Sequence, residues 1–121
     1  MSLALWIGVA LLGGVGAVLR FSVDWLVSLR IGFRFPYGIL VVNVSGAFLL
    51  GLLSGAGLHG HAYLLAGAAV LGSYTTFSTW MLDTQELEAR GERRGAIVNI
   101  GLSLALGLAA AALGHAIGAQ L

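Results

Sequence analysis

The sequence predicts an all-α membrane protein, one bundle of four transmembrane helices over residues 1–121 with the third helix broken at mid-membrane. Three observations predict it. Hydrophobic residues make up 59% of the chain and charged residues only 9%, against about 25% charged in a soluble domain. With a mean hydropathy of +0.97, the outer surface is expected to face lipid. Four segments approach the roughly 20 apolar residues needed to cross a bilayer. The third carries Gly72-Ser73-Tyr74-Thr75-Thr76-Phe77-Ser78-Thr79-Trp80, hydroxyls and aromatics at a depth where lipid supplies no hydrogen-bond partner.

The first span runs from about Leu3 to Leu29, interrupted by Arg20 and Asp24. The second runs from Tyr37 to Leu58, with Pro36, the only proline, expected at the first helical position, where its missing N–H costs nothing. The third covers Ala62 to Leu82 and the fourth Ala96 to Ile117. Short connections join the first two pairs, and a polar loop from Asp83 to Gly95 precedes the last span; its early part suits a helix extending out of the membrane. All six basic residues are arginines: Arg30 and Arg34 lie in the first loop, and Arg90, Arg93 and Arg94 in the third. By the positive-inside rule these loops are cytoplasmic and both termini external. The start lacks the basic region of a cleavable signal, so Met1 is read as the mature start. Nineteen glycines are expected to serve close helix packing, above all Gly51/Gly55 and Gly114/Gly118 as GxxxG pairs.

The composition excludes several classes. Cysteine is absent and the net charge is +1, which removes disulfides, thiolate chemistry and an electrostatic case for nucleic acid. No phosphate loop, catalytic triad or metal-ligand helix is visible, so the chain is not expected to be an enzyme. His59-Gly60-His61 is too sparse for a metal site and reads as a solvated turn.

Several polar residues inside the spans invite a function. Arg20 and Asp24 are four apart on one helix face and can pair; alternatively Arg20 lines a vestibule that attracts an anion. Asn43, alone in an apolar run, is either interhelical glue or an amide donor to an anion. Ser73, Thr75, Thr76, Ser78 and Thr79 place five hydroxyls in seven positions. Such residues commonly bond their own i−4 carbonyls, but this density after Gly72 points to a broken helix, whose free carbonyls and N–H groups can hold a cation and an anion. Phe77 and Trp80, three apart, share a face from which ring edges can solvate an anion weakly. Asn99, Ser103 and Gly107 form a stripe on the fourth span that is either a packing seam or a pore wall.

These motifs resemble a known family. Gly13-Gly14-Val15-Gly16-Ala17-Val18-Leu19-Arg20, then Pro36-Tyr37-Gly38-Ile39-Leu40-Val41-Val42-Asn43-Val44-Ser45-Gly46, then the Thr75-Thr76-Phe77-Ser78-Thr79 core, in this order across four spans, are similar to the Fluc (CrcB) fluoride channels. The resemblance implies an antiparallel homodimer in the inner (plasma) membrane that passively exports fluoride through two pores. It implies a structural sodium ion (Na+) at the dimer centre, on the backbone carbonyls of Gly72 and Thr75. It implies an anion path along Asn43, Phe77, Trp80 and Ser103, with Arg20, Thr76 and Ser78 contributing. The chain departs from the family pattern at Trp80, where phenylalanine is usual, at Ile39, which replaces a hydroxyl, and at Asn99 and Gly107. Those losses and the arginine bias raise a second arrangement, a heterodimer with an oppositely oriented paralogue in which this chain is the non-conducting half. The main competing class is a small dual-topology multidrug exporter, for which Asp24 is the one candidate carboxylate; the blandest is a non-conducting scaffold.

Overall fold

A computed structural model describes the whole chain, Met1–Leu121. Helix α1 (Leu3–Ile31) is capped by Ser2, whose hydroxyl accepts from the Leu5 N–H at 3.2 Å. Its 29 residues extend roughly 43 Å at 1.5 Å per residue, longer than the roughly 30 Å hydrocarbon layer. Trp6 and Trp25 are both exposed on it. Their separation of about 28 Å along the axis matches the two interfacial belts where tryptophan collects.

Helix α2 (Tyr37–Gly55) is preceded by Pro36 at its N-cap, one residue outside the first helical position expected for it. The apolar run continues to Leu58, but the helix stops at Gly55. Gly57 turns to φ 79°, its N–H reaches Ser54 O at 3.1 Å, and the Leu58 N–H reaches Leu53 O at 3.1 Å. This paired closure satisfies the last carbonyls and needs a left-handed residue, which glycine supplies.

The third helical stretch, α3, spans residues 60–74 and changes pitch along its length: an α-helical turn Gly60–Ala62, a π-helix Tyr63–Leu71 and an α-helical turn Gly72–Tyr74. Two extended residues follow, Thr75 at φ −78°, ψ 156° and Thr76 at φ −148°, ψ 126°. Helix α4 (Phe77–Ala89) then begins, ends in the same kind of closure at Gly91 (φ 80°), and gives way to α5 (Arg93–Gly118). Thus α1, α2 and α5 are long and apolar enough to cross a membrane, and the segment expected as the third span is divided between α3 and α4.

Glycine contacts show how the helices run. A Cβ at Gly51 would collide with the Ala111 carbonyl and one at Gly55 with the His115 carbonyl, while Gly114 meets Phe48 and Gly118 meets Leu52. Partner numbers rise together, so α2 and α5 are parallel and backbone touches backbone along the seam. The same holds for α1 and α3, where Gly8 faces Leu65 and Gly16 abuts the Val70 carbonyl. Parallel alternate helices are what a chain threading back and forth through a bilayer produces. Only 19 of 121 residues are buried, and large apolar side chains from Leu3 to Leu113 stand exposed. A surface of this kind is stable only against lipid or another protein copy; the chain is a multi-pass membrane protein.

The two arginine-bearing loops meet at one end. Arg90 Nη2 donates to Arg34 O at 2.8 Å and pairs with Glu92 at 2.9 Å; Arg34 approaches Glu92 at 3.5 Å. Beside them a polar cavity of about 320 Å³ gathers Asp24 and Ser28 of α1 with Asp83 and Glu86 of α4. Asp83 lies just past the expected third span. Burial, with repulsion from Asp24 and then Glu86, pushes its carboxyl up from 3.8 to about 6.

Two outcomes follow. Gly55→Ala should destabilise the bundle by about 1–3 kcal/mol through a forced backbone separation, whereas Gly101→Ala, which meets no atom within 4 Å, should gain about 0.5–1 kcal/mol; thermal unfolding in detergent measures both. A carboxyl whose folded pKa is raised contributes stability that is complete below its unfolded value and lost as pH rises through about 6. Asp83→Asn should therefore match the parent near pH 4 and exceed it by about 1–2 kcal/mol at pH 7, allowing for solvent screening, in unfolding curves collected across that range.

Candidate functional site

The site is built on the interruption between α3 and α4. Two extended residues inside an apolar bundle expose backbone groups that lipid cannot satisfy. Asn43 of α2 supplies the missing partners. Its Oδ1 accepts the Thr76 N–H at 2.9 Å and its Nδ2 donates to Thr76 O at 3.0 Å. The amide thus stands in for one rung of a strand. Glycine at Gly46 makes the approach possible, since a Cβ there would strike the Thr75 methyl. Tyr74, packed with Val42 and Leu71, anchors the other side. Ser45 Oγ donates to Val42 O at 3.1 Å and therefore accepts from the Tyr74 hydroxyl at 3.0 Å.

The hydroxyls divide between housekeeping and exposure. Thr75 Oγ1 donates back to Leu71 O at 3.0 Å, the ordinary helical bond. Thr76 Oγ1 accepts from the Thr79 N–H at 3.2 Å, capping α4, and lies 3.3 Å from Ser78 Oγ. The Thr76 N–H, which an unbroken helix would direct to Gly72 O, is engaged by Asn43; the Gly72 carbonyl is released from that donor.

A second polar clasp joins α4 to α5. Asn99, only 1% exposed, donates from Nδ2 to Thr84 Oγ1 at 2.9 Å, Thr84 Oγ1 donates to Trp80 O at 2.8 Å, and Trp80 Nε1 donates to Asn99 O at 3.3 Å. Of the two readings open for Asn99, packing seam or pore wall, the contacts make it a seam. Thr84 belongs to no motif in the sequence; its one signal is its place four residues after Trp80, where its hydroxyl reaches back to that carbonyl. Phe77 meets Trp80 edge-to-face with centroids 5.6 Å apart and is itself 70% exposed.

Between these clasps lies a groove of about 450 Å³. Of the residues singled out from sequence, Asn43, Gly72, Thr75, Thr76, Phe77, Trp80 and Ser103 line it, together with apolar residues such as Leu50, Leu71 and Leu104. Ser103 Oγ is buried there with no hydrogen-bond partner. None of the 15 lining residues is charged. Ser78 and Arg20 are not among them. The expected Arg20–Asp24 pair does not form: the chain's ion pairs are Arg34–Glu92, Arg90–Glu92 and Arg93–Glu88, all in or beside the loops. Gly38 of α2 seats directly on Asp24, whose carboxylate accepts from Ser28 at 3.4 Å. Arg20 stands five residues before Trp25, within snorkelling reach of the interface that tryptophan marks.

Comparison with known proteins completes the picture. The family model described as CrcB-like protein, Camphor Resistance (CrcB), matches residues 7–115. A protein of Mycolicibacterium paratuberculosis named fluoride-specific ion channel FluC 2 is 56% identical over 114 residues, covering 94% of this chain and 93% of the relative. The protein of the same name from Mycobacterium tuberculosis (strain ATCC 25618 / H37Rv) is 54% identical over 115 residues, covering 95% and 91%. Fluoride-specific ion channel FluC 1 of Symbiobacterium thermophilum is 45% identical over 120 residues, covering 93% and 96%. With the match running from the first helix to the last, the chain belongs to the CrcB family.

Proposed function

We propose that the chain is a passive fluoride channel of the inner (plasma) membrane, working as an antiparallel homodimer with two pores that release cytoplasmic fluoride. One observation carries the reading: the groove at the α3–α4 interruption gathers neutral donors and aromatic edges and no charge, in a chain whose relatives are named fluoride-specific channels. Fluoride is small and strongly hydrated, so a pore must replace water with several donors yet release the ion quickly. Asn43 Nδ2 spends one N–H on Thr76 O and keeps its second. Ser103 offers an unpaired hydroxyl. The positive end of the α4 dipole opens at the groove, and the exposed Phe77 presents a weakly attractive ring edge. An arginine or lysine in their place would hold the ion too tightly to conduct.

The residues present also fit the sodium ion that the family resemblance implies. A hard cation takes oxygen ligands. The Gly72 carbonyl is freed of its helical donor, and Thr75 is extended rather than helical. Two carbonyls from each of two copies would hold the ion, which when bound supplies a fixed positive charge that ties the copies together. The exposed Phe77 and the open groove are the face that a second copy would cover.

A multidrug exporter needs a titrating carboxylate in its transport path, and none lines the groove. The heterodimer, in which this chain would be the non-conducting half, has one observation in its favour: the five loop arginines gather at one end, a bias that favours a single orientation.

Fluoride efflux from liposomes holding the purified chain tests the channel. Passive efflux is expected, and proton-driven uptake of a lipophilic cation in its place would establish the exporter. Asn43→Asp, which loses both donor hydrogens and sets a negative charge against Thr76 O, should lower efflux at least tenfold and should also lower the thermal unfolding temperature, because half of the clasp on the interruption is gone. The absence of cysteine lets orientation be read cleanly. A single cysteine in place of exposed His61 should label from outside in about half the molecules if both copies are this chain, and in all of them if the partner is a paralogue.

A further inference from the structure

We propose that Trp80 is a positioning residue: by donating its indole N–H to the Asn99 carbonyl, it keeps the Ser103 hydroxyl free to donate to the ion in the groove. The inference deepens the channel reading and rests on it. A serine within a helix ordinarily turns its hydroxyl back to the carbonyl four residues earlier; for Ser103 that carbonyl belongs to Asn99. A carbonyl oxygen has two lone pairs. In the α5 ladder one accepts the Ser103 backbone N–H. The other accepts Trp80 Nε1 at 3.3 Å, so the acceptor that Ser103 would use is saturated.

The consequence is visible at Ser103 itself. Its Oγ is buried and has no partner, with the residue only 9% exposed, on the wall of the groove. A hydroxyl in that state is one rotation from donating to whatever enters. Trp80 is held in place for the task. Its own carbonyl accepts from Thr84 Oγ1 at 2.8 Å, and Thr84 in turn accepts from the Asn99 side chain at 2.9 Å. Trp80 and Asn99, two of the positions where the chain departs from the family pattern, are therefore parts of one clasp. A phenylalanine at position 80 has no N–H to give, and the Asn99 lone pair would return to Ser103.

Replacing Trp80 with β-(3-benzothienyl)alanine, which puts sulfur in place of the N–H and keeps the ring shape, separates donation from bulk. Fluoride efflux from liposomes should fall about tenfold for this replacement, for Trp80→Phe and for Ser103→Ala. Ser103→Ala added to Trp80→Phe should cost nothing more, because the hydroxyl is already withdrawn. Wild-type efflux from the benzothienyl protein, or losses that multiply in the double variant, would overturn the proposal. If the unaltered chain passes no fluoride, the channel reading fails before any variant is compared. A readout independent of flux comes from the unaltered, indole-labelled protein by NMR. The Trp80 N–H should exchange with deuterium more slowly than those of the exposed Trp6 and Trp25, and equal exchange of all three would remove the bond on which the proposal stands.

Discussion

The bond pair between the Asn43 amide and the backbone of Thr76 is the interaction on which the rest of the structure depends. A helix interrupted inside an apolar bundle leaves donors and acceptors that neither lipid nor apolar neighbours can satisfy, and each such buried group costs about 1–3 kcal/mol. One side chain from α2 satisfies both groups of a single residue, and it does so from a fixed direction. That geometry makes Thr75 and Thr76 a defined turn rather than a frayed end. It releases the Gly72 carbonyl, sets the start of α4, and lets Thr76 serve as its cap. The interruption is thus paid for by one amide, and the residues on either side of it line the groove.

The groove also needs walls that do not move, and glycine supplies them. Along α2 and α5, Gly51, Gly55, Gly114 and Gly118 bring the two backbones into contact over several turns. In lipid, where apolar burial gives little drive for helices to associate, such close approach and the dispersion contact it yields hold a bundle together. The seam fixes α5 relative to α2, and so fixes Ser103 relative to Asn43. Gly46 performs the matching service at the interruption itself. The clasp of Trp80, Thr84 and Asn99 then ties α4 to α5, so every element lining the groove is held by direct backbone proximity or by a closed set of hydrogen bonds.

Much of this was legible in the chain because lipid makes polar residues conspicuous. Asn43 in a run of valines, and five hydroxyls crowded after Gly72, mark the site before any coordinates do. The pairs at Gly51/Gly55 and Gly114/Gly118 announce close packing, but not with which helix. Other features needed the third dimension. Arg20 and Asp24 have the spacing of an ion pair, yet Gly38 draws α2 onto Asp24 and the pair is not made. Spacing along one helix cannot show what a second helix seats there. Thr84 is unremarkable in sequence, Asn99 stands there with two readings open, and the indole N–H of Trp80 acquires a role only when the Asn99 carbonyl is found opposite it.

The sequence by itself determined a lipid-embedded helical protein with polar residues crowded after Gly72, because composition and periodicity answer directly to the solvent that surrounds each segment. Tertiary structure alone decided how each polar group spends its bonding capacity. Asn43 can be glue or donor by type; in the fold it is glue to Thr76 with one N–H to spare. Ser103 within α5 and Thr75 just past α3 both carry a hydroxyl within reach of the carbonyl four residues earlier, yet Thr75 bonds Leu71 O while Ser103 stands unpaired. The difference lies in whether a neighbouring element has already taken the acceptor, and that is a property of packing, which no one-dimensional pattern records.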